Sequence, residues 1–139
     1  MSIVQLKYGK TEIPFEYNEN LFNVLGKQTS YSPLSDIEIG ERLDNPIDAK
    51  PLEEIIGDDE TVLLVVPDAT RQVGAGQIVN LLVRRLIANG VMPYNIRIIF
   101  AVGIHRPVTE VEKSEILTPF IVQRIKTLEH NSRNLADVV

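Results

Sequence analysis

The sequence contains no cysteine, and only two of its 139 residues are histidines. Without cysteine, the chain cannot form a disulfide, a thiolate metal site or a thiol nucleophile. No apolar run approaches the roughly 20 residues that a membrane-spanning helix needs, and the N-terminus lacks the basic start and apolar stretch of a secretory signal. We therefore expect a cytoplasmic protein that has no membrane partner.

The chain also lacks an excess of positive charge. Lys and Arg together number 14 against 19 Asp and Glu, which gives a net charge of −5 with no basic cluster. Phosphate-backbone binding needs a basic surface, so nucleic acid is not an expected partner. Hydrophobic residues make up 44% and charged residues 24% of the sequence, as in ordinary soluble domains. The length predicts one domain with a real core.

The first half of the chain predicts little regular structure beyond a hairpin. Apolar and polar residues alternate on both sides of Gly9 and Lys10, which predicts a β-hairpin within a lead-in of residues 1–27. Residues 28–60 are rich in Pro, Asp, Asn and Gly and predict an irregular segment, with helix only at Pro51–Ile56.

Residues 61–139 predict an α/β core. The apolar run Val62–Val66 predicts a strand buried on both faces of a parallel sheet. Residues 76–89 have a broad apolar helical face, and Gly90 is suited to a C-cap. Thr109 and Glu112 have the spacing of a capping box, which predicts the start of another helix.

Two further strands complete the predicted core. The stretches "NIRIIFAVG" and "KTLEH" predict the second and third strands, and "FIVQRI" predicts a helix between them. Alternation of strand and helix predicts a right-handed, parallel, three-layer Rossmann-like sheet preceded by the N-terminal β-hairpin. Ligands of such sheets bind outside the carboxyl ends of the strands.

The residues that follow the predicted strands are chemically the richest in the chain. Asp68, Thr70 and Arg71 follow the first strand, and His105 and Arg106 follow the second. The third strand ends in a further polar group, Glu129, His130 and Asn131. Because parallel strands end at one edge of their sheet, these groups are expected on one rim.

Each candidate has a functional and a structural interpretation. Arg71 ahead of a helix N-terminus suits a phosphate or carboxylate, but it could also make a surface ion pair while Asp68 caps a turn. His105 lies between Gly103 and Pro107, where a rigid loop suits an acid or base, or simply a hydrogen-bonding loop histidine.

Three other residues are expected to be structural. His130 is 25 residues from His105 and has no carboxylate partner at short spacing, so no all-protein metal site is predicted. Arg84 and Arg85 are expected on a solvated helix face.

Five stretches together resemble the N-terminal part of the nickel-dependent lactate racemase family. They are "RLDNPIDAKPLEEI", "VVPDATR", "LIANGV", "FAVGIHRPVTEVE" and "KTLEHN", in the family's order. The pairing of D-x-T-R with G-x-H-R is the specific part of this resemblance, which extends over essentially the whole chain.

The resemblance implies a two-domain 2-hydroxyacid racemase or epimerase. Its cofactor is a nickel pincer, a pyridinium mononucleotide with sulfur-bearing substituents that bind the metal. His105 matches the family's acid/base histidine, whereas Asp68, Thr70 and Arg71 match the loop that meets cofactor or substrate. Arg106 is the remaining candidate for cofactor or substrate binding.

The resemblance also implies that this chain is incomplete for catalysis. The family's second histidine, its cofactor-bearing lysine and its metal ligand lie beyond the matching region. We therefore expect an N-terminal domain fragment that lacks the C-terminal domain as partner, carries no covalent cofactor and racemises no hydroxy acid alone. Two alternatives stay open: a non-catalytic α/β module that binds phosphate or carboxylate, and a purely structural α/β domain.

Overall fold

The computed structural model describes residues 1–26, 32–71 and 73–134, and the chain forms two compact units, Met1–Pro33 and Leu34–Val139. The first unit contains strands β1 (Ser2–Tyr8) and β2 (Thr11–Tyr17), which pair antiparallel. Gly9 has φ +60°, the left-handed conformation that a tight two-residue turn requires. The predicted hairpin is confirmed.

The second unit begins with two helices that contact a third helix further along the chain. Helix α1 (Asp36–Asp44) starts at a capping box, in which Ser35 and Glu38 satisfy each other's backbone N–H groups. Helix α2 (Leu52–Ile55) is a single turn within the stretch Pro51–Ile56 where helix was expected. The expectation of an irregular segment is wrong for α1, because the capping box of Ser35 and Glu38 starts a helix within this polar stretch. Residues 27–31 of this region lie outside the described residues.

The remaining elements form the α/β part of the second unit. In chain order they are β3 (Val62–Pro67), α3 (Ala75–Ala88), a short 3₁₀ helix (Pro93–Asn95), β4 (Ile96–Ala101), α4 (Glu110–Ile116), α5 (Pro119–Arg124) and β5 (Lys126–Glu129). The three strands pair in parallel in the order β3-β4-β5. The α/β class, the parallel sheet and the preceding hairpin are therefore confirmed.

The core lies between the sheet and the helices that cover one of its faces. Buried side chains alternate along β4, where Ile96, Ile98 and Phe100 are at most 2% exposed. They pack with apolar residues of α3 and α5, among them Val83 and Ile121. The sheet and one helical layer thus lie within the described part of the chain.

No described helix covers the other face of the sheet. Leu63 and Val65 of β3 are 51% and 66% exposed, whereas Val66 is 2% exposed. The expectation that this strand is buried on both faces is wrong for the structure described, because no helix of this region covers the second face. A continuous apolar run cannot by itself distinguish one covered face from two.

Arg85 also differs from its prediction. Its side chain is 22% exposed, and its guanidinium binds Glu53 at 2.5 Å and Asp44 at 2.6 Å. The predicted solvated position is wrong for this residue, because α1 and α2 fold back onto α3 there.

Among the described residues, no helix has the length and apolar character that crossing a membrane requires. The cytoplasmic location stays a prediction.

Candidate functional site

The loops that follow β3, β4 and β5 lie side by side at one edge of the sheet. In the parallel register, Pro67 pairs with Ala101, and Phe100 pairs with Glu129. The three polar groups that follow the strands are therefore neighbours. The sequence-based prediction that these residues share one rim is confirmed by the pairing of the strands.

Asp68 anchors the loop after β3. The residue is only 6% exposed, and its carbonyl oxygen accepts a hydrogen bond from the Arg71 N–H at 3.2 Å. Its Oδ1 accepts hydrogen bonds from the Thr70 N–H at 3.2 Å and from the Thr70 hydroxyl at 2.7 Å. Such side-chain bonds to the backbone two residues on are typical of Asp in turns. The carboxylate is thereby fixed, with its second oxygen left for another partner.

That partner is His105, 37 positions away in sequence. The Nδ1 of His105 lies 2.6 Å from Oδ2 of Asp68. The His105 loop turns at Gly103, where φ is +56°, and closes with a hydrogen bond from the His105 N–H to the Val102 carbonyl oxygen at 3.0 Å. Half of the His105 side chain, 51%, is exposed. The ring is thus held by one nitrogen and open at the other.

The electrostatics of the pair fix which nitrogen carries the proton. The hydrogen bond from Thr70 and then that from His105 lower the pKa of Asp68 below its ordinary value. Asp68 is therefore ionised at neutral pH and accepts hydrogen bonds only, so Nδ1 of His105 must be the donor. In the neutral ring, Nε2 then carries a lone pair, which is the arrangement of a general base.

Arg71 stands next to this pair and has no ion-pair partner among residues 1–26, 32–71 and 73–134. It lines two cavities. One, of about 290 Å³, also contains Asp68 and His105; the other, of about 710 Å³, contains the N-terminal turn of α3. Arg71 can therefore bind an anion either beside the histidine or at the helix N-terminus.

Arg106 faces a different partner. Its guanidinium forms two hydrogen bonds with the Glu112 carboxylate, at 2.8 and 2.7 Å, and one with the Pro107 carbonyl oxygen at 3.0 Å. Glu112 in turn accepts from the Thr109 N–H and hydroxyl in the predicted capping box of α4. The bonds from Arg106 and then from Thr109 lower the pKa of Glu112 to about 2. Whether Arg106 also contacts cofactor or substrate stays a prediction.

No local sequence pattern predicts the contact of Arg106 with Glu112 or the position of the His130 ring. The Nδ1 of His130 is buried and has no hydrogen-bond partner within the described part of the chain. No group of three or more His, Asp or Glu side chains suited to a metal ion occurs among the described residues.

Comparisons with known proteins give one consistent result. Residues 8–139 match the family model described as lactate racemase N-terminal domain. The lactate racemase of Lactiplantibacillus plantarum is 32% identical over 146 aligned positions, which cover 100% of this chain and 34% of that protein. The lactate racemase of Thermoanaerobacterium thermosaccharolyticum is 28% identical, with coverage of 96% and 32%.

The fold agrees with a solved structure of the same kind. The lactate racemase apoprotein of Thermoanaerobacterium thermosaccharolyticum superposes with a TM-score of 0.70 at 25% identity, covering 96% of this chain and 31% of that one. The chain therefore spans about a third of the length of the curated relatives that it matches.

Proposed function

Since the chain belongs to the lactate racemase N-terminal domain family, we propose that it is the N-terminal domain of a 2-hydroxyacid racemase or epimerase. The observation that carries this proposal is the 2.6 Å contact between His105 and the fixed Asp68 carboxylate. It supports a histidine that can exchange a proton, and Arg71, which has no ion-pair partner within the described ranges, lines the same small cavity.

In this proposal His105 is the catalytic acid/base. Its Nε2 removes the proton of the substrate hydroxyl, and the imidazolium that results is stabilised by Asp68 at Nδ1. Arg71 holds the substrate carboxylate, for which a guanidinium provides two parallel donors. Removal of the hydroxyl proton makes departure of the α-hydrogen as hydride easier, and an acid/base group on the other face of the substrate returns a proton after inversion.

The resemblance of the sequence to nickel-dependent lactate racemases implies a nickel-pincer mononucleotide, and two features suit its phosphate. Arg71 is unpaired among the described residues, and it lines the cavity of about 710 Å³ at the N-terminus of α3, where backbone N–H groups favour anions. When bound, the group would supply the acceptor for the hydride that leaves the substrate. The backbone N–H groups at the N-terminus of α3 are assigned to the phosphate, and Arg71 adds positive charge to this cavity while its guanidinium is kept for the substrate carboxylate. No residue of this chain is assigned to the metal.

We also propose that the chain is inactive alone. Racemisation needs acid/base groups on both faces of the substrate carbon, whereas His105 can serve one face only. The chain corresponds to about a third of its curated relatives, so the second group is expected from the remaining part of such a protein.

The test is a chimaera in which residues 1–139 replace the matching third of the Lactiplantibacillus plantarum lactate racemase. Racemisation of a panel of 2-hydroxy acids and nickel content are measured in parallel on cofactor-loaded protein. We expect turnover by the chimaera and none by residues 1–139 alone. A folded, nickel-loaded chimaera that converts no hydroxy acid would contradict the proposed function.

The decisive variant of the chimaera is His105→Asn. An asparagine amide can still donate to Asp68, but it has no base at the position of Nε2. We expect turnover to fall at least about 100-fold, the lower range of a general base contribution, without loss of thermal stability.

For Arg71→Ala we expect weaker cofactor or substrate binding, with Arg42→Ala as the control that removes the same charge from exposed α1.

A non-catalytic module that binds phosphate or carboxylate is the second candidate. It is favoured by the position of Arg71 at the cavity of α3, which His105 does not line. Calorimetric titration of residues 1–139 with inorganic phosphate and AMP tests it. Binding that Arg71→Ala abolishes and His105→Asn leaves intact, together with an inactive chimaera, would favour this module over the enzyme.

A further inference from the structure

A second cavity that His105 lines is not used by the proposed mechanism. Its volume is about 500 Å³, and it lies between the Gly103–Pro107 loop and the loop that follows β5. The Ser132 hydroxyl donates to the Gly103 carbonyl oxygen and so joins the two loops. His105 and Arg106 line one side, and His130, Asn131 and Arg133 line the other. We call this space the β5 cavity.

The orientation of His130 gives the β5 cavity a hydrogen-bond donor. Nδ1 of this ring is buried without a partner among the described residues, whereas Nε2 is not among the buried unpaired atoms. Buried N–H groups without an acceptor are rarer in proteins than under-satisfied acceptors, so the proton of the neutral ring belongs on Nε2. His130 therefore presents Nε2–H where His105 presents a lone pair.

Counting the described residues alone, one cation that lines the β5 cavity has no ion-pair partner. Arg106 is held by Glu112, and Glu129 shares the buried Lys113, at 3.1 Å, with Glu110, at 2.8 Å. The Arg133 guanidinium has no ion pair or hydrogen bond with any residue of the described ranges. Asn131 uses its Oδ1 to accept from the Arg133 N–H at 3.1 Å, which leaves its amide N–H groups as donors.

We propose that the β5 cavity is a subsite for an anionic oxygen group on the substituent of the substrate, such as the second carboxylate of a 2-hydroxy dicarboxylic acid. The inference rests on the proposed function, because it requires the hydroxy acid head to lie between His105 and Arg71. The substituent then reaches Arg133 and the Nε2–H of His130. This selects a carboxylate-bearing hydroxy acid over one with a methyl group, such as lactate.

The test uses the ¹⁵N-labelled chain and compares malate, which carries the second carboxylate, with lactate. Long-range ¹H–¹⁵N spectra first report the tautomers, for which we expect Nδ1–H in His105 and Nε2–H in His130. Titration with lactate should shift the signals of His105 and Arg71 only. Malate should also shift those of His130 and Arg133 and bind at least about tenfold more tightly, as one charge-assisted hydrogen bond allows.

Variants separate the subsite from the head-group site. Arg133→Gln should remove the tenfold preference for malate and leave lactate binding unchanged. His130→Gln keeps an N–H donor near the position of Nε2 and should retain the preference, whereas His130→Leu should lose it. Melting temperatures of the three variants confirm that each is folded.

Three outcomes would overturn the subsite. Equal binding of lactate and malate, with shifts at His105 and Arg71 alone, would contradict it and leave the proposed function standing. Inorganic phosphate that shifts His130 and Arg133 as strongly as malate does would show a general anion site instead. If neither hydroxy acid shifts His105 or Arg71, the proposed function fails together with the subsite.

Discussion

At the scale of single residues, the candidate site depends on which partner each polar side chain has taken. Two hydrogen bonds from Thr70 fix the Asp68 carboxylate, and this carboxylate in turn orients the His105 imidazole. Arg106 is neutralised by Glu112, whereas Arg71 has no ion-pair partner in the described part of the chain. The two arginines of the rim are therefore expected to differ in their availability to ligands.

Replacing Asp68 with asparagine should change the tautomer of His105. The amide that replaces the carboxylate presents either its oxygen or its NH₂ group to the ring, so it no longer forces Nδ1 to be the donor. Long-range ¹H–¹⁵N spectra should show Nδ1–H in the wild type and a mixture with Nε2–H in Asp68→Asn. An unchanged, fully Nδ1–H ring in the variant would show that another group orients His105.

The bond between Arg106 and Glu112 predicts a dependence of stability on pH. The pKa of Glu112 falls from an ordinary 4.5 to about 2 in the folded chain. A lowered folded pKa stabilises the fold above the unfolded pKa, and this contribution is lost as the pH falls towards the folded pKa. The wild type should therefore melt above Glu112→Gln at neutral pH, and the two should converge as the pH falls to about 2.

Melting curves of both proteins between about pH 6 and about pH 2 measure that convergence. The comparison is made as a difference because the pKa values of Asp68, Glu38 and Glu53 are lowered as well. Those carboxyl groups titrate in both proteins. A difference in melting temperature that stays constant across this range would contradict the assigned role of Glu112.

At the scale of helices, local sequence signals explain where each element begins, but not how the elements meet. The capping box of α4 was predicted from Thr109 and Glu112 and is confirmed. Ser35 and Glu38 have the same spacing and form the same kind of capping box, but the polar composition around them predicts an irregular segment. Contacts between distant elements, such as Arg85 with Asp44, have no local signal because chain folding alone brings them together.

Gly76 in the first turn of α3 shows such a contact. A Cβ at this position would lie 1.8 Å from the backbone carbonyl oxygen of Ile116, at the end of α4. Because backbone cannot move aside as a flexible side chain can, Gly76→Ala should lower the free energy of unfolding by about 2 kcal/mol or more. Urea denaturation measures the change.

Gly40 in α1 is the matched control for this substitution. A Cβ there meets nothing within 4 Å, and alanine is the better helix former. Gly40→Ala should therefore raise the free energy of unfolding by about 1 kcal/mol. Opposite signs for the two Gly→Ala changes would support the close approach of α3 to α4, whereas two stabilising changes would refute it.

At the scale of the whole molecule, the sequence predicted the class of fold and the shared rim better than it predicted the covering of the sheet. Strand order and rim position follow from the alternation of strand and helix, which is written in the apolar pattern. The apolar pattern does not predict the exposure of Leu63 and Val65, since this exposure depends on which elements pack against their face of the sheet. The sequence likewise did not predict that Asp68 and His105 are partners, because 37 positions separate the two residues.

The difference between the two faces of the sheet can be tested with one substitution at adjacent positions. Val66 is 2% exposed and Val65 is 66% exposed, and threonine has nearly the shape of valine. Val66→Thr buries a hydroxyl in an apolar core and should cost about 1–3 kcal/mol of stability, whereas Val65→Thr should change it by less than about 0.5 kcal/mol. Urea denaturation of residues 1–139 measures both values. Similar losses at the two positions would show that the face of Val65 is covered in solution, and the sheet would then be buried on both sides as its sequence suggests.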